Sequence, residues 1–258
     1  MLRSISNLTF IVGLSFAAGG LNIMTPENWR PVYLRGLSLA ICMFFFFSGA
    51  PFLSVAQMAA GLYTYPLFVS ILAGPVLGER VGPWRIGALL IGVSGAFFML
   101  DPLSNAFSSV QLLPITAGFF YACNILILRG YCRHESPLAL TTAVAVLFIT
   151  SALIGIVILT IFPIAPEIVV SMPFVAIGWP ELSAVVLLMA VGCSALNLSG
   201  NIFLARAYQT ADSSWLAPMD FIYLLFAVMW GRLIFDHWPG PQTITGMILI
   251  AGAGILTA

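Results

Sequence analysis

The chain has 258 residues, of which 61% are hydrophobic and 7% are charged. A water-soluble domain carries roughly 25% charged residues to hydrate its surface, so this composition excludes a soluble globular protein and makes hydrocarbon the main solvent. Nine acids balance nine basic residues, all arginine, which excludes a strongly basic nucleic-acid-binding surface and a polybasic lipid anchor.

Spanning helices need about 20 apolar residues, and charge, Pro and Gly mark the breaks between them. That rule predicts helices at about 8–24, 33–54, 57–77, 84–100, 111–130, 138–162, 182–207, 213–234 and 241–257. The first follows Arg3 with no convincing small-residue cleavage site before Pro26 and Glu27, so it reads as a spanning helix rather than a signal peptide. Connections are short except for the proline-bearing stretch 163–181, whose composition suits the membrane interface. No segment is long enough for a soluble domain. The expected fold is all-α, a polytopic transmembrane bundle of about nine helices. Cys42, Cys123, Cys132 and Cys193 lie within or beside apolar segments, without CxxC spacing and with only His134 nearby. They read as core thiols, not as a metal site or a disulfide frame.

Arginine placement gives an orientation. Arg30 and Arg35, Arg80 and Arg85, Arg129 and Arg133, and Arg206 follow the first, third, fifth and seventh helices. Arginines are retained on the cytoplasmic side during insertion, so these loops and the C-terminus are expected in the cytoplasm and residue 1 outside. The setting is an inner (plasma) membrane, crossed several times.

Two stretches resemble each other. Residues 61–100 and 216–256 each hold an apolar helix opened near a Pro, a turn with Gly-Pro (Gly82-Pro83, Gly240-Pro241) and a Gly/Ala-rich closing helix. The helix count puts the two turns on opposite sides, so the copies run antiparallel, the inverted-repeat plan of many secondary transporters. PLFVSILAGPVLGERVGPWRIGALLIGVSGAFFML and LARAYQTADSSWLAPMDFIYLLFAVMWGRLIFDHWPGPQTITGMILIAGAGIL also resemble the ends of the two repeats of the EamA-type family of the drug/metabolite transporter superfamily. The resemblance implies ten helices in two inverted five-helix repeats, cytoplasmic termini and a substrate cavity at the repeat interface. Here the repeats fall at 1–103 and 108–258. Two departures stand out. The family's Gly-Glu pair in the second turn is Asp236-His237, and the chain starts where the family's second helix would, which makes the arrangement four helices plus five. A mis-assigned start or a shortened paralogue would both give this pattern.

Polar residues inside apolar helices are costly and need a partner or a wet cavity. Asp220 sits roughly 10 Å into the eighth helix, just after the helix-breaking Pro218, which frees a backbone carbonyl one turn back. It reads either as a substrate or proton contact or as a structural hydrogen-bonding group. Asn197 and Asn201, with Ser194 one turn earlier, share one face of the seventh helix and suit substrate contact or interhelical bonding. Tyr121 and Asn124 share a face of the fifth. Gln57, Tyr63, Thr64 and Tyr65 surround Pro66 in the third, although tyrosines near helix ends more often form the interfacial belt. Pro66 and Pro218 occupy corresponding places in the two repeats.

Glu79 and Arg80 suit a topological, helix-capping turn better than a substrate contact. Ala88, Gly92 and Ala96 form a small-residue stripe that favours close packing within the bundle over homodimerisation, and Phe44 to Phe47 read as lipid-facing bulk. The expected partners are a small-molecule substrate and membrane lipid, with coupling to a proton or ion gradient; no cofactor, metal or nucleic acid is called for. Metalloprotease, serine-hydrolase and P-loop motifs are missing from the sequence, so an intramembrane enzyme ranks below a secondary transporter. A membrane subunit that acts only by association is the other alternative.

Overall fold

A computed structural model describes residues 2–18, 20–78, 83–100, 108–162, 183–210, 222–236 and 238–257. The helices are α1 (Leu2–Ala18), α2 (Trp29–Gly49), α3 (Val55–Leu62), α4 (Tyr65–Leu77), α5 (Pro83–Leu100), α6 (Leu112–Tyr131), α7 (Pro137–Ile161), α8 (Ala184–Thr210), α9 (Ile222–Phe235) and α10 (Pro241–Thr257). Among the described residues each expected helix has a counterpart, and the third is split into α3 and α4. Trp29–Gly49, Val55–Leu77, Ser109–Tyr131, Pro137–Ile161 and Ala184–Ala207 are each long and apolar enough to cross a membrane. On α7 the exposed residues Ile154, Val157, Ile158 and Ile161 recur at i, i+3, i+4 and i+7, a helical face that only hydrocarbon can solvate favourably. The fold is a polytopic helical membrane bundle.

The largest boundary correction is at the start, where the helix runs over 2–18 and not 8–24. Asn7 explains the early beginning: its amide lies within α1 and donates to Asn197 Oδ1 of α8 at 3.2 Å. The end is set by Gly20, whose φ of 109° lies outside the range other residues adopt readily. Residues 21–24 form a separate short turn. At the third span, Ser54 caps α3 by a reciprocal pairing with Gln57.

Close packing divides the chain into two compact units, each drawing on both sequence halves. Unit 1 comprises residues 1–40 and 127–210; unit 2 comprises 41–126 and 211–258. In unit 1, α1 packs on α7 and α8 around Ile11, Ala145 and Leu198. A second cluster holds Val32, Leu128, Cys132, Leu140 and Ala205. Cys132, just past the end of α6, is wholly buried, and burial pushes its thiol up to about 11. The nearby Arg35 opposes the shift, while Glu135 adds to it. At pH 8 only about one thiol in a thousand is then the nucleophilic thiolate. Maleimide labelling of Cys132 in the folded protein is expected to be negligible at pH 8 and to climb as the pH approaches 11; brisk labelling at pH 8 would contradict this environment.

In unit 2, α5 and α10 pack directly on each other. Each starts with a Pro at its first position, where the missing N–H is no loss. A Cβ on Gly95 would lie 2.8 Å from the Gly246 carbonyl oxygen, and one on Gly92 would run into the Leu67 side chain. The small residues of α5 thus serve packing within this unit, against α4 and α10; the Ala96 side chain lies outside the described residues. Two other expectations change. Phe44 and Phe47 are exposed as foreseen, but Phe45 stacks on Phe120 at 5.9 Å. Cys193 is exposed on α8 rather than in the core, while Cys42 is buried.

Candidate functional site

The polar candidates fall into two groups, one in each unit. In unit 2 the third span is broken at residues 63–64, because Pro66 lacks an N–H and its ring excludes the Leu62 carbonyl one turn back. The Tyr63 N–H still reaches the Ala59 carbonyl at 2.9 Å. Thr64 closes the break from its side chain, Oγ1 donating to the Gly61 carbonyl at 2.7 Å. Pro66 is therefore buried at the second position of α4, with an irregular turn of backbone ahead of it.

Helix α6 comes unusually close to that turn. A Cβ on Gly118 would lie 2.8 Å from the Leu62 carbonyl oxygen and 2.9 Å from Thr64 Oγ1, and a Cβ on Gly61 would meet the Pro114 ring at 2.7 Å. Two glycines, one on each side, let the backbones meet. One turn beyond Gly118, Tyr121 then lands edge-on against Tyr65, ring centroids 4.9 Å apart. Tyr65 is in similar contact with Tyr63 at 5.7 Å, and Tyr63 stacks on Tyr223 of α9 at 5.1 Å. Edge-to-face and offset aromatic pairs contribute about 0.5–1.5 kcal/mol each beyond burial. Tyr65 is 5% exposed, so it lies inside the unit and not in an interfacial belt.

Asn124 follows Tyr121 by three residues on α6 and is 2% exposed, and its Oδ1 accepts no hydrogen bond. A buried acceptor left open forfeits about 1–3 kcal/mol. Such a group is kept at that expense where a ligand or water can supply the donor. Gln57, in contrast, is engaged: its Oε1 accepts from the Ser54 backbone N–H at 3.0 Å and from Ser54 Oγ at 3.1 Å. That bonding ties it to starting α3. The group can offer aromatic faces, phenol hydroxyls and one open amide oxygen to an organic solute.

In unit 1, Asn197 accepts from Asn7 across helices, and the Asn201 amide donates to the Asn197 carbonyl at 2.8 Å. Ser194 is buried and donates to the Ala190 carbonyl at 2.6 Å. The Asn7–Asn197 bond joins α1 to α8, whereas the Asn201 and Ser194 bonds return to carbonyls of α8 itself. Asp220, Pro218, Glu79 and Arg80 lie outside the described residues. Two participants escaped the sequence reading. Tyr223 carried a usable signal, since it lies five residues beyond Pro218 in the second repeat as tyrosines flank Pro66 in the first. Asn7 carried none, since an asparagine just ahead of an apolar stretch reads as a loop residue. Among the described residues no cluster of His, Cys, Asp or Glu could hold a metal ion.

Comparison with known proteins agrees with this architecture. Residues 1–101 match the EamA-like transporter family. A riboflavin transporter of Vibrio cholerae is 29% identical over 204 residues, covering 78% of this chain and 62% of that protein; the chain thus spans somewhat under two thirds of that relative's length. A pseudopaline exporter of Pseudomonas aeruginosa is 25% identical, covering 86% of this chain and 72% of the exporter. One solved crystal structure shares the fold over 99% of this chain and 85% of its own, with a TM-score of 0.61 at 16% identity. Residues 1–101 thus match the EamA-like transporter family, and over most of its length the chain is similar to proteins named as transporters or exporters.

Proposed function

We propose that this chain is a secondary transporter that carries a small organic solute across the inner (plasma) membrane by alternating access, with Tyr65, Tyr121 and Asn124 in the solute's path. The observation that carries the reading is the broken third span. In hydrocarbon, irregular backbone is tolerated only where it is buried in protein or lines a cavity, and here it is ringed by tyrosines beside an open amide oxygen. Relatives named as transporters or exporters, matched along most of this chain, support the same reading. Aromatic faces and an amide oxygen suit a solute with a planar or apolar part and a hydrogen-bond donor.

On this reading the two repeats, 1–103 and 108–258, supply corresponding breaks at Pro66 and Pro218, and Asp220 after the second break takes the proton or solute contact. The arginine-bearing loops and the C-terminus face the cytoplasm. Direction and substrate are chosen by features beyond these residues, so a comparison of metabolites in deletion and overexpressing cells is the first experiment, followed by vesicle flux of the compounds it finds, with riboflavin as the initial probe. Tyr121→Ala is expected to lower flux about tenfold, and Asp220→Asn to abolish it, both with normal insertion. Tyr131→Ala, at an exposed site outside the cluster, should leave flux unchanged. Wild-type flux in either test variant would remove that residue from the path. The absence of any solute-dependent flux with the bundle intact would reject transport itself.

A further inference from the structure

At one end of unit 1 a cleft of about 660 Å³ opens between the turn ahead of α2 and the turn joining α6 to α7. Its ionisable lining is Glu27, Arg133, His134, Glu135 and Arg206. The acid and base content is not evenly available. Glu135 is buried, and its two oxygens accept the backbone N–H groups of Glu27 at 3.0 Å and Asn28 at 2.7 Å. Arg35 is buried too, and the two groups act on the Cys132 thiol in opposite directions. Arg133 and Arg206 are exposed on the cleft, and among the described residues no ion pair holds either one. Among the described lining residues Glu27 is the acid left to oppose them. The start of α7, with Ser136 and Pro137 in the lining, adds the positive end of a 25-residue helix.

The depth of the cleft follows from its neighbours. Trp29, Tyr33 and Tyr131 are 62%, 60% and 60% exposed and lie within a few residues of Glu27 and Arg133. Exposed Trp and Tyr at helix ends sit at the level of lipid headgroups. A cleft with two uncommitted guanidinium groups at that level matches a phosphodiester, whose oxygens accept their paired N–H donors. Basic pockets between membrane helices commonly take acidic headgroups for this reason.

We propose that this cleft binds the headgroup phosphate of an acidic phospholipid, held by Arg133 and Arg206. It lies in unit 1 and is independent of the tyrosine cluster of unit 2, so its failure would leave the transport reading untouched. The test uses the full chain in neutral detergent, with phosphatidylglycerol or phosphatidylcholine added and bound lipid counted by native mass spectrometry. Phosphatidylglycerol is expected to be retained over phosphatidylcholine. Arg133→Gln and Arg206→Gln should each reduce its retention about fivefold, while Glu27→Gln, which removes the opposing acid, should increase it. Arg232→Gln, in unit 2, should change nothing. Equal retention of the two lipids, or an undiminished preference in the double Arg133→Gln, Arg206→Gln variant, would overturn the site. So would thermal stabilisation by inorganic phosphate at matched ionic strength without a lipid preference, which marks a free-anion site instead. Should the arginine variants fail to fold, Glu27→Gln keeps both arginines and decides the matter: unchanged or reduced retention overturns the proposal.

Discussion

Gly95→Ala is expected to lower the stability of the bundle by about 3 kcal/mol, although it adds a single methyl group. The new Cβ would lie 2.8 Å from the Gly246 carbonyl oxygen, 2.8 Å from Leu249 Cβ and 3.0 Å from Ile250 Cγ1. Two of these three atoms belong to backbone or to a Cβ and cannot turn aside, so α5 and α10 must separate. The same helix supplies graded controls. At Gly92 the obstacle is the tip of Leu67, a side chain able to change rotamer, so Gly92→Ala should cost less. At Gly87 nothing lies within 4 Å, and Gly87→Ala should be neutral or stabilising by up to about 1 kcal/mol through helix propensity. Melting midpoints in neutral detergent measure the series. A wild-type midpoint for Gly95→Ala would mean that α5 and α10 do not pack as described.

Removal of the Glu135 carboxylate has the second large effect. Its two oxygens terminate the N–H groups just ahead of α2 from 107 and 108 residues away in sequence. Charge-assisted hydrogen bonds of this kind contribute about 1.5–3 kcal/mol. Glu135→Ala is therefore expected to destabilise the protein by about 3 kcal/mol, a fall in melting midpoint of roughly 6–12 °C. Glu135→Gln keeps an acceptor but loses the charge, and should fall about halfway. Equal midpoints for the alanine variant and the wild type would rule out a structural role for the carboxylate. The alanine variant should also label faster at Cys132 at a given pH above 8, since Glu135 helps to hold that thiol protonated.

The number and order of the helices were legible because hydrocarbon imposes a single requirement, about 20 apolar residues per crossing, that composition meets or fails locally. Their ends were less so. Asn7 belonged by polarity to a loop, and only a partner 190 residues away made it affordable inside α1. Pro66 announced a break in the third span, yet nothing local said what would surround it. Tyr65 by position suited an interfacial belt, and it is buried because Gly61 and Gly118 let two backbones meet and carry Tyr121 onto it. Gln57 was a candidate solute contact by residue type, and its Oε1 accepts from Ser54 at the cap of its own helix.

The sequence by itself determined that this protein lives in a membrane, how its apolar segments are arrayed and which family pattern they follow, since these depend on hydrophobicity and spacing along the chain. Only the tertiary structure decided which polar groups are consumed and which stay open. Asn197 is taken by Asn7 and Glu135 by the start of α2, whereas the Asn124 oxygen is left without a donor. The physical reason is that hydrogen bonding saturates. A group's availability is set by what long-range packing brings against it, and residue type records only that it must be satisfied.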